Sequence, residues 1–200
     1  TEDGEVSEPD QAFFIRLLEN LGIEQELVNR LLDWLDRDIE VRFPEGAEDQ
    51  EYLLLERPYR AANRPMSDIS ELRLIKGFED TEVYNTLLPH VCAFGVKTPI
   101  NINTATTEVL RSLADDIDNS DVEQIIERRT ESAFNTINEL TSFNDLNKKI
   151  ASTEGLSVDT EYFMLQTEST IGQVRVITYS IIHRSIDGNI TVIARSQGVI

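Results

Sequence analysis

Hydrophobic and polar residues alternate at helical spacing along the first part of the chain. Apolar side chains at positions 13, 14, 17, 18 and 21 fall on one face of a predicted helix that begins near Ser7 and ends at Gly22. A second amphipathic helix is predicted from residue 24 to residue 36. Capping residues, glycines and prolines mark further short helices up to residue 150. The pattern therefore predicts a cluster of about seven or eight small helices joined by short loops.

The pattern changes from helical to strand-like near residue 155. β-Branched and aromatic residues dominate the runs 162–165, 174–182 and 190–193, and Asp187-Gly188 between the last two runs is a hairpin signal. We predict three antiparallel strands here. Three strands without a partner layer make a weak domain, so their apolar face needs cover from another element.

The charge of the chain divides at the same place. The whole chain carries a net charge of −19. Residues 158–200 hold four acidic residues and three arginines, a balance of −1, which leaves −18 for residues 1–157. We therefore divide the chain into a flexible acidic start (1–8), a helical domain with an acidic metal-binding loop (9–155) and C-terminal strands (156–200). Such an acidic surface argues against nucleic acid as a partner, because phosphate binding requires lysine and arginine.

The sequence gives little information on the cellular compartment. No apolar run approaches the roughly 20 residues of a membrane span, and the polar start at Thr1 has no signal-peptide features. The single cysteine, Cys92, excludes a disulfide within the chain. These features fit either a cytosolic protein or a processed fragment of an exported one.

The highest density of negative charge lies at the end of the second predicted helix and in the loop behind it. Residues 33–51 contain eight carboxylates against two arginines, Arg37 and Arg42. Like charges this close repel one another unless a cation neutralises them, and calcium takes six to eight oxygen ligands from such loops. Calcium is our leading prediction, and a solvated acidic loop without an ion is the alternative that composition leaves open.

An EF-hand does not account for this loop. If Asp36 is its first position, Val41 stands where the motif needs glycine, and Ala47 stands where it needs a bidentate glutamate. The predicted site is therefore an irregular loop.

A helix-hairpin-helix element is indicated further along the chain. The run Pro99-Ile100-Asn101-Ile102-Asn103-Thr104-Ala105 resembles its start, Asn103 is predicted to cap the following helix, and residues 71–78 resemble a degenerate second copy. Members of this class that bind DNA carry a glycine-hydrophobic-glycine hairpin. The corresponding residues 114–119 contain three aspartates and no glycine, so the helices are predicted to serve as scaffold without a grip on phosphate.

Catalysis has little support in the sequence. The two histidines, His90 and His183, lie in different halves of the chain, and we find no phosphate-binding loop, metal-hydrolase histidine pair or nucleophile elbow. A carboxylate-based hydrolase and a nucleic-acid-binding adaptor remain as alternatives to a structural subunit. We predict that the chain is not an enzyme.

Several motifs follow one another along the chain: Asp33-Trp34-Leu35-Asp36-Arg37-Asp38, Gly46-Ala47-Glu48-Asp49-Gln50-Glu51-Tyr52, Asn63-Arg64-Pro65, Glu71-Leu72 and Asn101-Ile102-Asn103-Thr104-Ala105, and then the terminal strands. In this order they resemble one family, the general secretion pathway protein K. The resemblance implies an α+β fold, in which a pilin-like antiparallel sheet carries a large inserted all-α domain with helix-hairpin-helix-like (SAM-like) elements.

The resemblance also implies bound calcium. We expect its ligands among seven residues of the acidic loop and its surroundings: Asp36, Asp38, Glu45, the carbonyl of Ala47, Glu48, Asp49 and Asn63. A second acidic group, formed by Asp115, Asp116 and Asp118, is expected to be solvated, with a second ion there as the alternative.

The family implies a function and partners. It consists of minor pseudopilins at the tip of the type II secretion pseudopilus, where the I and J subunits, and in a wider complex H, are the expected partners. The chain is then expected to be a periplasmic domain that an N-terminal helix, missing from this sequence, anchors in the inner membrane. Its helical domain is expected to cap the tip and so to support protein export across the outer membrane.

Overall fold

The computed structural model describes residues 6–197. Seven α-helices occupy this part of the chain: α1 (Glu8–Asn20), α2 (Leu27–Leu35), α3 (Asp49–Tyr52), α4 (Thr81–Leu87), α5 (Thr107–Arg111), α6 (Asn119–Glu131) and α7 (Ile137–Ser142). Short 3-10 helices lie at Ile69–Leu74, Leu88–His90 and Phe143–Lys148. The strands are β1 (Ile100–Asn101), β2 (Leu156–Ser157), β3 (Tyr162–Ile171), β4 (Val174–Arg184) and β5 (Ile190–Gln197).

The first helix follows its sequence signals closely. The Ser7 hydroxyl accepts a hydrogen bond from the Asp10 amide at the helix start, and Gly22 adopts a left-handed φ of 69° just beyond the helix end. Residues 1–5 of the predicted flexible start lie outside the described part of the chain, as do residues 198–200 of the predicted strand region. The second helix is shorter than predicted, since it begins at Leu27 and not at residue 24.

Two hydrophobic clusters form the core of the helical part. The first cluster joins α1, α2 and α4 with the loops between residues 47 and 78, and its most deeply buried members include Leu18, Ile75 and Phe78. The second lies under α5, α6 and α7 and includes Leu110 and Ile125. The helical region therefore consists of two groups of short helices, each around its own hydrophobic cluster, and Ala105 packs against both clusters.

A short parallel ladder ties the second cluster to the start of the sheet. β1 pairs with β2, with Ile100 opposite Leu156. The Asn103 side chain accepts from the Phe134 amide and donates to the carbonyls of Phe134 and Val158, at 2.9 to 3.1 Å. The prediction that Asn103 caps α5 is wrong: the hydroxyl of Thr106 accepts from the helix start, which leaves the asparagine free to hold these two loops together.

The C-terminal sheet has the predicted antiparallel topology, with the order β3-β4-β5. Both of its faces are partly open in this chain. Phe163 and Met164 are neighbours on β3 and so point to opposite faces, and they are 40% and 59% exposed. At one end of the sheet Tyr162 stacks on Phe94 of the helical part, with ring centroids 4.4 Å apart. The mixed helix-and-sheet class is confirmed.

Within residues 6–197, no helix combines the length and the apolar character that crossing a membrane requires.

Candidate metal centre

The ends of two helices bring the acidic residues together. α2 ends at Leu35, and its C-cap residue Asp36 turns the chain into an extended conformation. Glu48 is the N-cap residue of α3, which begins at Asp49. As a result Asp36, Asp38 and Glu48 each offer a carboxylate oxygen within 4.8 Å of one another.

Two of these three carboxylates are buried and incompletely satisfied. Asp36 is 5% exposed and Glu48 is 1% exposed. One oxygen of Asp36 and both oxygens of Glu48 accept no hydrogen bond. A buried acceptor without a partner costs about 1–3 kcal/mol, and more if it is charged. Since hard cations bind carboxylate oxygens, these orphaned atoms fit a calcium site.

Asn63 completes the polar lining beside Asp38. Its main chain has a left-handed φ of 47°, a conformation that asparagine tolerates better than most residues. Its amide N–H donates to the carbonyl of Trp34 at 3.0 Å, and its side-chain nitrogen donates to the carbonyl of Asp38 at 3.0 Å. The side-chain oxygen is buried without a donor, which makes it a fourth oxygen suited to a cation.

Aromatic rings pack together beside the acidic residues. Trp34, which lies between Asp33 and Asp36 in the sequence, is 2% exposed, and its ring meets Tyr52 edge to face with centroids 5.3 Å apart. Tyr59 stacks on Tyr52 at 5.3 Å. Trp34 and Tyr52 belong to the first hydrophobic cluster, so the core holds the segments that carry the acidic residues.

Two residues outside the expected ligand set lie against these carboxylates. Asp33 is fully buried, and both of its oxygens accept from the Arg42 amide at 3.2 to 3.3 Å. The Arg42 guanidinium donates to the second oxygen of Asp36 at 2.9 Å. The sequence carries one signal for Arg42, since it is one of two arginines among the eight carboxylates of residues 33–51.

The turn before Glu48 depends on Gly46. Its amide donates to the Arg42 carbonyl at 2.9 Å. A Cβ at this position would lie 2.5 Å from that carbonyl oxygen and 2.7 Å from the Arg42 nitrogen, and would also meet the Asp33 carboxylate. The missing side chain therefore allows the loop to close over Asp33.

Two of the seven expected ligands pair with other residues. The Glu45 carboxylate pairs with Arg30 at 2.9 Å. The Asp49 carboxylate accepts from Arg60 at 2.8 Å and from the Ala61 amide at 3.0 Å. Ala47 is fully buried, and its main-chain amide donates to Asp33, a contact that does not involve the carbonyl expected as a ligand. The structure brings together Asp36, Asp38 and Glu48, with Asn63 beside them.

The second acidic group has a different character. Asp115 is exposed and pairs with Arg16 at 3.2 Å. Asp118 is the N-cap of α6, where its side chain and that of Asp121 form a reciprocal capping box. Asp116 is exposed to solvent. These contacts account for two of the three aspartates without an ion.

Burial and like charge shift the acidity of the site. Loss of water, with a smaller contribution from the negative charge of Asp33, raises the pKa of Glu48 from 4.5 to about 7. Burial raises the pKa of Asp33 as well. Without a cation, the folded chain therefore holds a proton on this site that the unfolded chain releases.

In chelator, we expect the chain to become less stable as the pH rises from about 5 to about 8. Glu48 has a higher pKa in the folded state than in the unfolded state, so the folded state binds more protons between the two values. The free energy of unfolding then falls with pH, by up to about 1.4 kcal/mol per pH unit. Thermal unfolding at several pH values measures this slope. Glu48→Gln should flatten it, and an equally steep slope in that variant would contradict the assignment.

Comparisons with known proteins agree on one family. Family profiles described as "Type II secretion system (T2SS), protein K" match residues 1–96 and 100–159. The chain is 39% identical to the type II secretion system protein K of Pseudomonas aeruginosa over 92% of its length. It is 32% identical to the protein of that name from Pectobacterium carotovorum over 95% of its length. It spans 56% and 60% of these two relatives.

A solved structure shares the fold. A chain in the crystal structure of the GspK-GspI-GspJ complex, from the type 2 secretion system of enterotoxigenic Escherichia coli, matches with a TM-score of 0.80 and 25% identity. The match covers 98% of this chain and 73% of that one.

Proposed function

The chain belongs to the type II secretion system protein K family, and from this premise we propose that it is a minor pseudopilin that caps the tip of the periplasmic pseudopilus and supports protein export. Membership of this family confirms the resemblance seen in the sequence and agrees with the prediction that the chain is not an enzyme. The observation that carries the proposal is the structural match over 98% of the chain to a member of a complex of three such proteins.

We propose the I and J pseudopilins as its partners, as in the complex that shares its fold, with H as a further partner. The sheet is the better candidate for the interface. Residues 158–200 carry a balance of only −1, whereas the acidic helical part repels other acidic surfaces. Exposed apolar side chains on the sheet, such as Leu165 and Val192, give it surface to bury.

The helical part would then form the cap. Its bulk exceeds what a pilin fibre can stack over, so the chain would occupy the outermost position.

Two further expectations belong to this proposal. The helical part is inserted in a larger pilin-like sheet, with α5 and α6 as a helix-hairpin-helix scaffold, and an N-terminal helix anchors the whole protein in the inner membrane.

We further propose that calcium stabilises the cap. Asp36, Asp38, Glu48 and the side-chain oxygen of Asn63 would hold the ion. When bound, it supplies positive charge to buried oxygens that lack hydrogen bonds. The ligand residues themselves connect the end of α2 to the start of α3 and to the loop at residue 63, so they fix the relative positions of three segments.

The alternative functions find no support in the described residues. His90 lies against the Thr106 hydroxyl at 2.7 Å, and His183 packs on Tyr162 with ring centroids 4.7 Å apart, so neither lies in the carboxylate cluster. The aspartates at 115, 116 and 118 occupy the place where a DNA-binding hairpin presents glycine amides. Both a hydrolase and a nucleic-acid adaptor are disfavoured.

Co-purification of the periplasmic region with the I and J ectodomains tests the proposed assembly. We expect a stable ternary complex that survives charge reversal on the helical surface, for example Glu123→Lys with Glu127→Lys, since these exposed residues of α6 lie far from the sheet in sequence. Leu165→Lys with Val192→Lys should weaken the complex because both side chains are exposed on the sheet. The opposite pattern would place the interface on the helical part.

A further inference from the structure

Arg42 lies beside the acidic cluster and contacts two buried carboxylates. Its guanidinium contacts Asp36 at 2.9 and 3.2 Å and Asp33 at 3.4 Å. Its main-chain amide donates to Asp33 as well. Both carboxylates are at least nine-tenths buried. One arginine thus contacts two buried acids, through both its main chain and its side chain, and supplies one positive charge between them.

The contacts of Asp36 are divided between its two oxygens. One oxygen accepts from Arg42, and the other has no hydrogen-bond partner. Asp36 also offers a carboxylate oxygen that lies within 4.8 Å of carboxylate oxygens of Asp38 and Glu48. Arg42 therefore fixes the carboxylate in an orientation that leaves one oxygen available to the cluster.

The charges of these groups can be compared directly. Asp33, Asp36, Asp38 and Glu48 carry four negative charges when ionised, and Arg42 reduces the total to three. A divalent cation leaves this group with one negative charge, and a trivalent cation leaves it with none. Without the arginine the divalent cation would leave two and the trivalent cation one, so Arg42 reduces the negative charge that attracts a third positive charge.

We propose that Arg42 is a built-in counter-ion that shifts the preference of the site from trivalent towards divalent cations and orients Asp36 for binding. The inference rests on the proposed calcium site. Repulsion between the guanidinium and a bound ion grows with the charge of the ion, so it penalises a trivalent ion more than a divalent one. Loss of orientation alone weakens the binding of both ions, because Tb³⁺ and Ca²⁺ take similar shells of hard oxygen ligands.

The ratio of Tb³⁺ affinity to Ca²⁺ affinity separates these two effects. The chain has one tryptophan, Trp34, whose carbonyl accepts from the Asn63 amide beside the cluster. Excitation of Trp34 should therefore sensitise Tb³⁺ emission, and Ca²⁺ competes for the site in the same titration. We expect Arg42→Gln to raise the ratio roughly 3- to 50-fold, for a separation of about 7 Å between the guanidinium and the ion and effective dielectric constants between about 80 (water) and about 20 (a protein surface).

Two variants control for the loss of an arginine. Arg42→Lys keeps the charge but loses the planar fork, so it should weaken both ions while the ratio stays near that of the parent. Arg60→Gln removes an arginine that pairs with Asp49 outside the cluster, and it should leave the ratio unchanged. In chelator, Arg42→Gln should lower the melting temperature more than Arg60→Gln, because it leaves Asp33 and Asp36 without their guanidinium.

The outcomes distinguish this inference from the proposed calcium site. A parent chain that binds both ions, together with an unchanged ratio in Arg42→Gln, overturns the role of Arg42 and leaves the calcium site intact. A parent chain that binds neither ion overturns both. A raised ratio in Arg42→Gln that Arg42→Lys does not show supports the inference.

Discussion

Removal of calcium is expected to lower the melting temperature of this chain by about 5–10 °C. An ion that binds only the folded state at about 100 times its Kd adds about 2.7 kcal/mol. For a domain of this size, each kcal/mol corresponds to roughly 2–4 °C. The physical source is the group of buried oxygens on Asp36, Glu48 and Asn63 that lack hydrogen-bond donors. Calorimetry or circular dichroism, with calcium and with chelator, measures the difference.

Paired variants locate this effect. Asp36→Asn with Glu48→Gln keeps the shape of the side chains and removes two charged ligands, so it should abolish the difference between calcium and chelator. Asp49→Asn is the matched control, because that carboxylate lies on Arg60 and the Ala61 amide. It should keep the calcium response. A response lost equally in Asp49→Asn would extend the ligand set, and a parent chain that melts identically with and without calcium would refute the calcium proposal.

Gly46→Ala is expected to abolish the calcium response and to cost about 3 kcal/mol or more in the free energy of unfolding. The new methyl group would lie 2.5 Å from the Arg42 carbonyl oxygen and 2.7 Å from the Arg42 nitrogen. Overpacking typically costs 1–3 kcal/mol, and more where the obstacle is main chain that cannot turn away. Moving this segment displaces Arg42 from Asp33 and Asp36, so the effect on the ion exceeds the effect of one methyl group.

Gly172→Ala is the matched control for Gly46→Ala, because it also replaces a glycine with alanine. Gly172 lies in the turn between β3 and β4 with a φ of 64°, and a Cβ there would meet nothing within 4 Å. Its cost should be limited to the left-handed conformation, about 1–2 kcal/mol, and the calcium response should persist. Denaturant titrations in calcium and in chelator compare the two variants. Equal behaviour of both glycines would show that close packing around Gly46 does not control the site.

Secondary-structure elements were predicted correctly where a single residue or run of residues signalled them and no neighbouring residue offered the same signal. Ser7 and Gly22 bound the first helix, and the β-branched runs gave all three strands of the sheet. The capping role was misplaced at Asn103 because Thr106, three residues later, also has a capping side chain. Asn103 bonds to Phe134 and Val158, which are distant in the sequence and become its neighbours only in the folded chain. No local sequence pattern therefore predicts these contacts.

The carboxylate cluster was predictable as a region and not as a set of residues. The density of carboxylates between residues 33 and 51 indicated it. Which acids turn inward depends on bases elsewhere in the chain. Arg30 draws Glu45 away and Arg60 draws Asp49 away, whereas the two oxygens of Glu48 have no such partner. Tertiary packing decides which carboxylates pair with an arginine, because it brings together residues that are 11 and 15 positions apart in the sequence.

The parallel pairing of β1 with β2 gives part of this chain a modular character. The amide of Ile100 donates to the carbonyl of Gly155, and that of Ile102 to the carbonyl of Ser157, so the intervening segment leaves and returns at adjacent positions, about 5 Å apart as in neighbouring strands. Segments whose ends meet can be exchanged, lengthened or removed with little disturbance to the remainder. Over evolution, the outer surface of such a protein could therefore be remodelled by replacing residues 102–155 as a unit, while the sheet beneath it kept its register.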